Sequence, residues 1–124
     1  MVMIKTVLVV DDHPEVAKAL VFLARSLGYN ARAVYSGRQA LDDVRTNFPD
    51  VVLLDLQMPD ISGWDVLAAL RGQREFERLP VIICSAASAA VSRQQAIEAG
   101  AQDYMDKDKA FEELEDVLNR QAAA

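Results

Sequence analysis

A chain of 124 residues, 52% hydrophobic and 26% charged, has room for one domain and the composition to fold it. Its apolar content excludes intrinsic disorder, which needs few apolar residues and a high net charge. Thirteen Lys and Arg against 19 Asp and Glu leave a net charge of −6, which argues against sequence-independent binding to nucleic-acid phosphates.

Two segment types alternate along the chain. The apolar run Val7-Leu8-Val9-Val10 is the first strand, and Asp11 and Asp12 follow it directly. Val16, Leu20, Leu23, Ala24 and Leu27 then recur at helical spacing, with Pro14 in the first turn and Gly28 just past the end. Ala31 to Val34 is a second strand. Ala40, Leu41 and Val44 mark a second helix closed by Asn47 and Pro49. Val51-Val52-Leu53-Leu54 is a third strand, and Val66, Leu67 and Leu70 a third helix entered through Gly63. Val81-Ile82-Ile83-Cys84 is a fourth strand, and Ala89 to Ala99 a fourth helix ended by Gly100. Asp103 to Met105 is a fifth strand. Phe111, Leu114, Val117 and Leu118 mark a fifth helix that fades into an alanine-rich end. Wholly apolar Val- and Ile-rich runs read as strands buried on both faces. Five strand-helix units therefore predict an α/β fold: a doubly wound, five-stranded parallel sheet of flavodoxin-like order 2-1-3-4-5 with five helices.

Other function classes fall away on simple counts. The single Cys84 forms no internal disulfide, and no Cys/His cluster suggests zinc, so a reducing compartment is expected. No apolar run reaches about 18 residues, and Asp11 and Asp12 interrupt the first apolar stretch, so neither a membrane span nor a signal peptide is expected. The expectation is one soluble cytoplasmic domain over residues 1–124.

Sites in open parallel sheets form beyond the carboxyl ends of the strands. There this chain places Asp11 and Asp12 after strand 1, Asp55 after strand 3, Ser85 after strand 4 and Lys107 after strand 5. Three clustered carboxylates need a cation. Hard oxygen ligands suit Mg²⁺, which keeps open positions for phosphate oxygens. A carboxylate beside Mg²⁺ and an ammonium group is a nucleophile for a phosphoryl group, with the hydroxyl of Ser85 as a donor. Each residue alone has a plainer reading. Asp12 would cap the first helix, Asp55 would begin the turn at Met58-Pro59-Asp60, and Ser85 would simply end a strand. Lys107 would belong to a solvated charge run, His13 to a loop beside the cap, and Cys84 and Trp64 to packing. Joint placement at successive strand ends outweighs these separate readings.

These residues resemble the receiver (phosphoacceptor) domain of two-component response regulators, of the CheY-like type. The resemblance is carried by Val9-Val10-Asp11-Asp12-His13-Pro14, by Leu53 through Gly63, by Ile83-Cys84-Ser85-Ala86 and by Gly100 through Lys107. It is also carried by intervals of 30 residues from Asp55 to Ser85 and 22 from Ser85 to Lys107, and it spans about residues 4–121. It implies that Asp55 accepts a phosphoryl group from a histidine kinase or histidine phosphotransfer protein. It implies a Mg²⁺ site of Asp11, Asp12, Asp55 and the backbone carbonyl of Gln57, with Ser85 and Lys107 on the phosphoryl oxygens. Tyr104 is then the switch aromatic, and the face of helix 4, strand 5 and helix 5 docks a downstream protein. Such a domain is a stoichiometric acceptor rather than a turnover enzyme, with no direct nucleic-acid or membrane contact.

The chain departs from the family at Asp108, where proline usually follows the lysine. A trans peptide bond or a reshaped loop is expected there. Gln57 and Ala87, which flank the attacking water in the family, imply slow self-dephosphorylation. Other readings stay open: a phosphorylation-independent interaction module of the same fold, a flavodoxin-like electron carrier, and a small metal-dependent phosphatase. The acidic loop Asp11 to Glu15 is wrong for cradling a flavin phosphate. Gln57 stands where the phosphatase family wants a second acid. A stand-alone receiver and a domain cut from a larger regulator fit the sequence equally.

Overall fold

A computed structural model describes residues 5–86 and 93–122. Ala87 and the start of the expected fourth helix, Ala89 to Ser92, lie outside the described residues. The elements in order are β1 (Thr6–Val10), α1 (Pro14–Ser26), β2 (Asn30–Val34), α2 (Gly37–Asn47), β3 (Val51–Leu54) and α3 (Gly63–Arg71). After a 3-10 turn at Arg74–Phe76 come β4 (Val81–Ser85), α4 (Arg93–Glu98), β5 (Asp103–Asp106) and, past a second 3-10 turn at Lys107–Lys109, α5 (Ala110–Ala122). The sheet is parallel throughout, in the order β2-β1-β3-β4-β5 that alternating apolar runs and right-handed crossovers predict.

Alternation along each strand splits the core into two layers. Val7, Val9, Leu53, Ile82, Cys84 and Met105 face one side, where Ala17, Leu20 and Val21 of α1 and Leu114, Val117 and Leu118 of α5 cover them. Leu8, Val10, Val52, Leu54 and Ile83 face the other, beneath Val44, Val66, Leu67, Leu70 and Ala96 of α2, α3 and α4. Each fully buried aliphatic side chain contributes about 1.5–3 kcal/mol, so a slip of one residue in any strand would move its whole set to the wrong layer. That penalty sets the register on which the strand-end residues depend.

The helix ends follow their local chemistry. Ser36 caps α2 by accepting from the Gln39 N–H, and Ser62 and Asp65 form a reciprocal capping box at α3. Gly28 and Gly100 follow α1 and α4 at φ +97° and +108°, where a side chain would be strained. Asp12 is not a cap for α1, in line with its placement among the strand-end acids: His13 is the N-cap residue, and no side chain bonds the first turn. One expectation fails. Phe111 does not join the core but is 85% exposed. The buried stripe of α5 runs through Ala110, Leu114, Val117 and Leu118; Phe111 lies at the edge of that stripe, about 20° around the helix from Leu118 but two turns before it, and stays in solvent there.

Candidate functional site

Backbone pairing brings the acids together. Val10 and Leu54 are partners across β1 and β3, so Asp11 and Asp55 leave the sheet side by side. The Asp55 N–H donates to Val10 O at 2.9 Å, and the Asp11 N–H to Val34 O at 3.2 Å. Both carboxylates are almost fully buried. Lys107 follows Asp106, the partner of Ser85 in the β4–β5 ladder. To reach β3 its side chain must pass the end of β4, a span of roughly 10 Å for two strand spacings. The small Ser85 at that strand end leaves the path open. Lys107 Nζ ends 2.6 Å from Asp11 Oδ2 and 3.0 Å from Asp55 Oδ1.

The loop after β3 is held by a close backbone approach. The Gly63 N–H donates to Leu56 O at 2.9 Å. A Cβ on Gly63 would lie 2.1 Å from Asp55 O, so only glycine lets α3 start against the acid-bearing strand end. Asp60 fastens the loop on its other side, accepting from the N–H groups of Gly37 and Arg38 at the start of α2. Those backbone bonds hold the Asp60 carboxyl below its ordinary value.

The charges at this rim are unbalanced. Asp11, Asp12 and Asp55 against Lys107 leave two negative charges when all are ionised. Burial pushes the Asp55 carboxyl above its ordinary value, and the Lys107 ammonium only partly offsets this. Burial alone would lower the Lys107 ammonium, but bonding to Asp11 and Asp55 outweighs it and the net shift is upward. Asp12 Oδ1 is withdrawn from solvent and accepts no hydrogen bond. Asp11, Asp12, His13 and Asp55 each offer a donor atom, no two of which lie more than 4.8 Å apart. Hard oxygen donors, a surplus of two negative charges and an unsatisfied carboxylate oxygen fit a divalent cation such as Mg²⁺.

Gln57 has an exposed side chain, and its backbone N–H donates to the Asp55 carboxyl. Ser85 is buried, and its hydroxyl donates weakly to Ala86 O at 3.3 Å. The Tyr104 hydroxyl donates to Asp106 Oδ1 at 2.7 Å. Burial and that carboxylate push the phenol up to about 12, against a smaller opposing pull from Ser85. No cis peptide bond occurs among the described residues, and Lys107–Lys109 form a 3-10 turn. Lys107 reaches the acids with Asp108 in the position after it.

Sequence reasoning missed three features. His13, expected in a loop beside the cap, directs Nδ1 at Asp11 and Asp12; the signal available was its place between Asp12 and Pro14. Asp103, read only as a strand residue, binds Arg93 and Arg120. Arg71 donates to the carbonyls of Phe76, Leu79 and Gly100, tying the edges of β4 and β5, and no local pattern announces it.

Comparison with known proteins gives the geometry a context. The family model described as the response regulator receiver domain matches residues 7–119. The transcriptional regulatory protein KdpE of Mycobacterium tuberculosis is 41% identical over 108 residues, covering 87% of this chain and 46% of that protein. The DNA-binding response regulator MtrA of Mycolicibacterium smegmatis is 38% identical over 101 residues, covering 82% and 43%. The chain thus spans less than half the length of these relatives. The receiver domain of the sensor histidine kinase PA1611 of Pseudomonas aeruginosa, with a magnesium ion coordinated in its active-site cleft, superposes with a TM-score of 0.87 at 28% identity, covering 98% of this chain and 100% of that one. The receiver domain of the Francisella response regulator 1452 gives 0.85 at 28% identity, covering 96% and 97%.

Proposed function

The chain belongs to the response regulator receiver domain family, and on that premise we propose that it is a phosphorylation-driven switch with Asp55 as its acceptor. The observation that carries this reading is the buried Asp55 carboxyl at the end of a central strand, with Lys107 Nζ 3.0 Å from Oδ1 and Asp11 beside it. The donor is a phosphohistidine on a histidine kinase or histidine phosphotransfer protein. An Asp55 oxygen bonds to phosphorus as the phosphorus–nitrogen bond breaks, and the departing imidazole takes a proton. Lys107 and the Ser85 hydroxyl meet the charge on the phosphoryl oxygens. Mg²⁺ held by Asp11, Asp12, Asp55 and the Gln57 carbonyl would supply Lewis-acid neutralisation of that charge.

Asp55 is modified once per cycle and freed by hydrolysis, so the chain acts as a stoichiometric switch and not as a turnover enzyme. The reading treats residues 1–124 as one receiver domain working in the cytoplasm. Among the described residues no helix is long and apolar enough to cross a membrane. For a signal to leave the site, Ser85 must move toward the phosphoryl group and Tyr104 must give up its bond to Asp106. The α4-β5-α5 face then changes shape for a downstream protein. The new charge-assisted bonds have to favour one of two states, or nothing shifts.

Intact-mass measurement after incubation with acetyl phosphate and Mg²⁺ tests the proposal. One phosphoryl mass on the parent chain and none on Asp55→Asn is the expected result. An unmodified parent would overturn it and leave a phosphorylation-independent interaction module.

A further inference from the structure

We propose that the cavity between α1 and the open edge of the sheet binds a nucleoside monophosphate, with its phosphate on Lys18 and Arg25 and its base on Phe22 and Tyr35. The cavity measures about 420 Å³ and lies along β2, the strand at one end of the β2-β1-β3-β4-β5 sheet. Small-molecule sites occupy about 300–1,000 Å³, and this one falls within that range. Among the described residues, three cationic side chains and two aromatic rings line it, and no carboxylate does. In a chain of net charge −6, that lining is a local reversal of sign. No residue of the acidic rim takes part, so the site stands apart from the phosphoacceptor reading.

Helical spacing gathers the first three groups. Lys18, Phe22 and Arg25 stand at i, i+4 and i+7 of α1 and share one face of it. The buried stripe of Ala17, Leu20, Val21 and Ala24 points elsewhere, which leaves Phe22 72% exposed with no core to fill. Lys18 has no hydrogen-bond or ion-pair partner among the described residues. Arg25 directs Nε and Nη2 to the Ala31 carbonyl at 3.1 and 2.8 Å, which fixes its guanidinium without a carboxylate to balance the charge. Arg32 is already engaged: its guanidinium forks onto Asp43 and reaches the Asn47 carbonyl. Lys18 and Arg25 therefore present two uncompensated positive charges, which match a phosphate monoester dianion.

The strand edge adds directed polar groups. The Asn30 N–H bonds Lys5 O and Val34 O accepts from the Asp11 N–H, so these residues turn their backbone groups toward β1. By alternation Ala31 and Ala33 turn theirs to the open edge, as the Arg25 bonds to Ala31 O require. Ala33 lines the cavity and offers its N–H and C=O to the edge of a base. Tyr35, 38% exposed, and Phe22 offer ring faces for stacking, which any base accepts. Inorganic phosphate would satisfy the cations and leave both rings in water. A purely apolar ligand would leave the cations unmatched. A polynucleotide would set further phosphates against a chain of net charge −6, so a single nucleotide is favoured over a strand.

Titration of the full chain with adenosine monophosphate (AMP), followed by amide resonances in buffer containing EDTA, tests the site. Without a divalent ion the surplus negative charge of the acidic rim repels phosphate, so binding there does not interfere. Amides of Lys18, Phe22, Arg25, Ala33 and Tyr35 should shift together and saturate, with a Kd below about 1 mM, while those of Asp55 and Ser85 stay in place. Adenosine and inorganic phosphate should each bind at least about tenfold more weakly than AMP, since each lacks one half of the recognition. Phe22→Ala should weaken AMP about tenfold by removing a stacking face, and Lys18→Gln at least about threefold by removing a phosphate contact. Both side chains are exposed, so the variants keep the fold. The absence of saturable shifts, shifts centred on Asp55, equal affinity for inorganic phosphate and AMP, or AMP binding unchanged in either variant would overturn the proposal.

Discussion

Asp55 and Asp103 are the same residue type, 5% and 3% exposed, and their carboxyls shift in opposite directions. Burial alone would raise both. At Asp103 it is outweighed by Arg120, by the Tyr104 N–H and by Arg93, so that carboxyl sits below its ordinary value. Arg120 Nη2 donates to Asp103 Oδ2 at 2.8 Å, and Arg93 pairs with Oδ1. One carboxylate thereby ties α4 to α5 across β5. At Asp55 the single ammonium of Lys107 is shared with Asp11, and burial prevails. A buried acid whose charge is met is a structural tie. One left with surplus charge, open to an ion or an electrophile, is where chemistry is available.

The comparison breaks most severely at Gly63. Gly63→Ala places a Cβ 2.1 Å from Asp55 O, and neither backbone segment is free to yield. The expected loss is roughly 3 kcal/mol in urea unfolding, with impaired labelling of the variant that does fold. A variant as stable and as readily labelled as the parent would show that the loop does not need that approach.

Asp103→Asn tests the compensated side. It should cost about 1–3 kcal/mol at pH 7, because charge-assisted bonds to two guanidinium groups are lost. The native carboxyl lies below the unfolded value of about 3.9, so the unfolded chain binds protons first as pH falls. The Asp103 contribution is therefore complete above that value and disappears as pH drops through the folded one. The gap between parent and variant urea midpoints should close on acidification. A gap constant from pH 3 to pH 7 would mean the network does not depend on the charge.

Asp55→Asn should have the smallest effect and the opposite sign. Its folded carboxyl is raised, so the native state binds the proton first, and ionisation at neutral pH works against folding. In metal-free buffer at pH 7 the variant should be more stable by about 1 kcal/mol or less, while labelling is lost. The advantage should shrink as pH falls through the raised folded value. A variant less stable than the parent would place Asp55 among the structural ties with Asp103.

Much of this was legible from periodicity. Runs of four apolar residues located three strands, the alternation of segments supplied the second and fifth, helical spacing marked five helices, and placing Asp11, Asp12, Asp55, Ser85 and Lys107 at strand ends marked the rim. Phe111 was misplaced because its helical spacing puts it at the edge of the buried stripe, and only the tertiary structure shows that the first turn of α5 leaves it in solvent. The local sequence around Asp12 also suits a cap, but its place beside Asp11 at a strand end outweighed that, and the structure gives the N-cap position to His13 and groups Asp12 with the acids. Asp103 and Arg71 gave no signal: the partners of Asp103 lie 10 and 17 residues away on α4 and α5, and Arg71 bonds carbonyls as near as Phe76 and as far as Gly100, which only the fold brings to one side chain.

The sequence by itself determined the layer order, the strand ends and the chemical types gathered there, because burial and register follow from local spacing and carry large energies. Tertiary structure alone decided which acids are compensated and which stay in surplus. That distribution depends on where long side chains such as Lys107, Arg93 and Arg120 come to rest, and on whether a ring such as His13 turns inward. Such placements are decided by distances across the fold, to which spacing along the chain is blind.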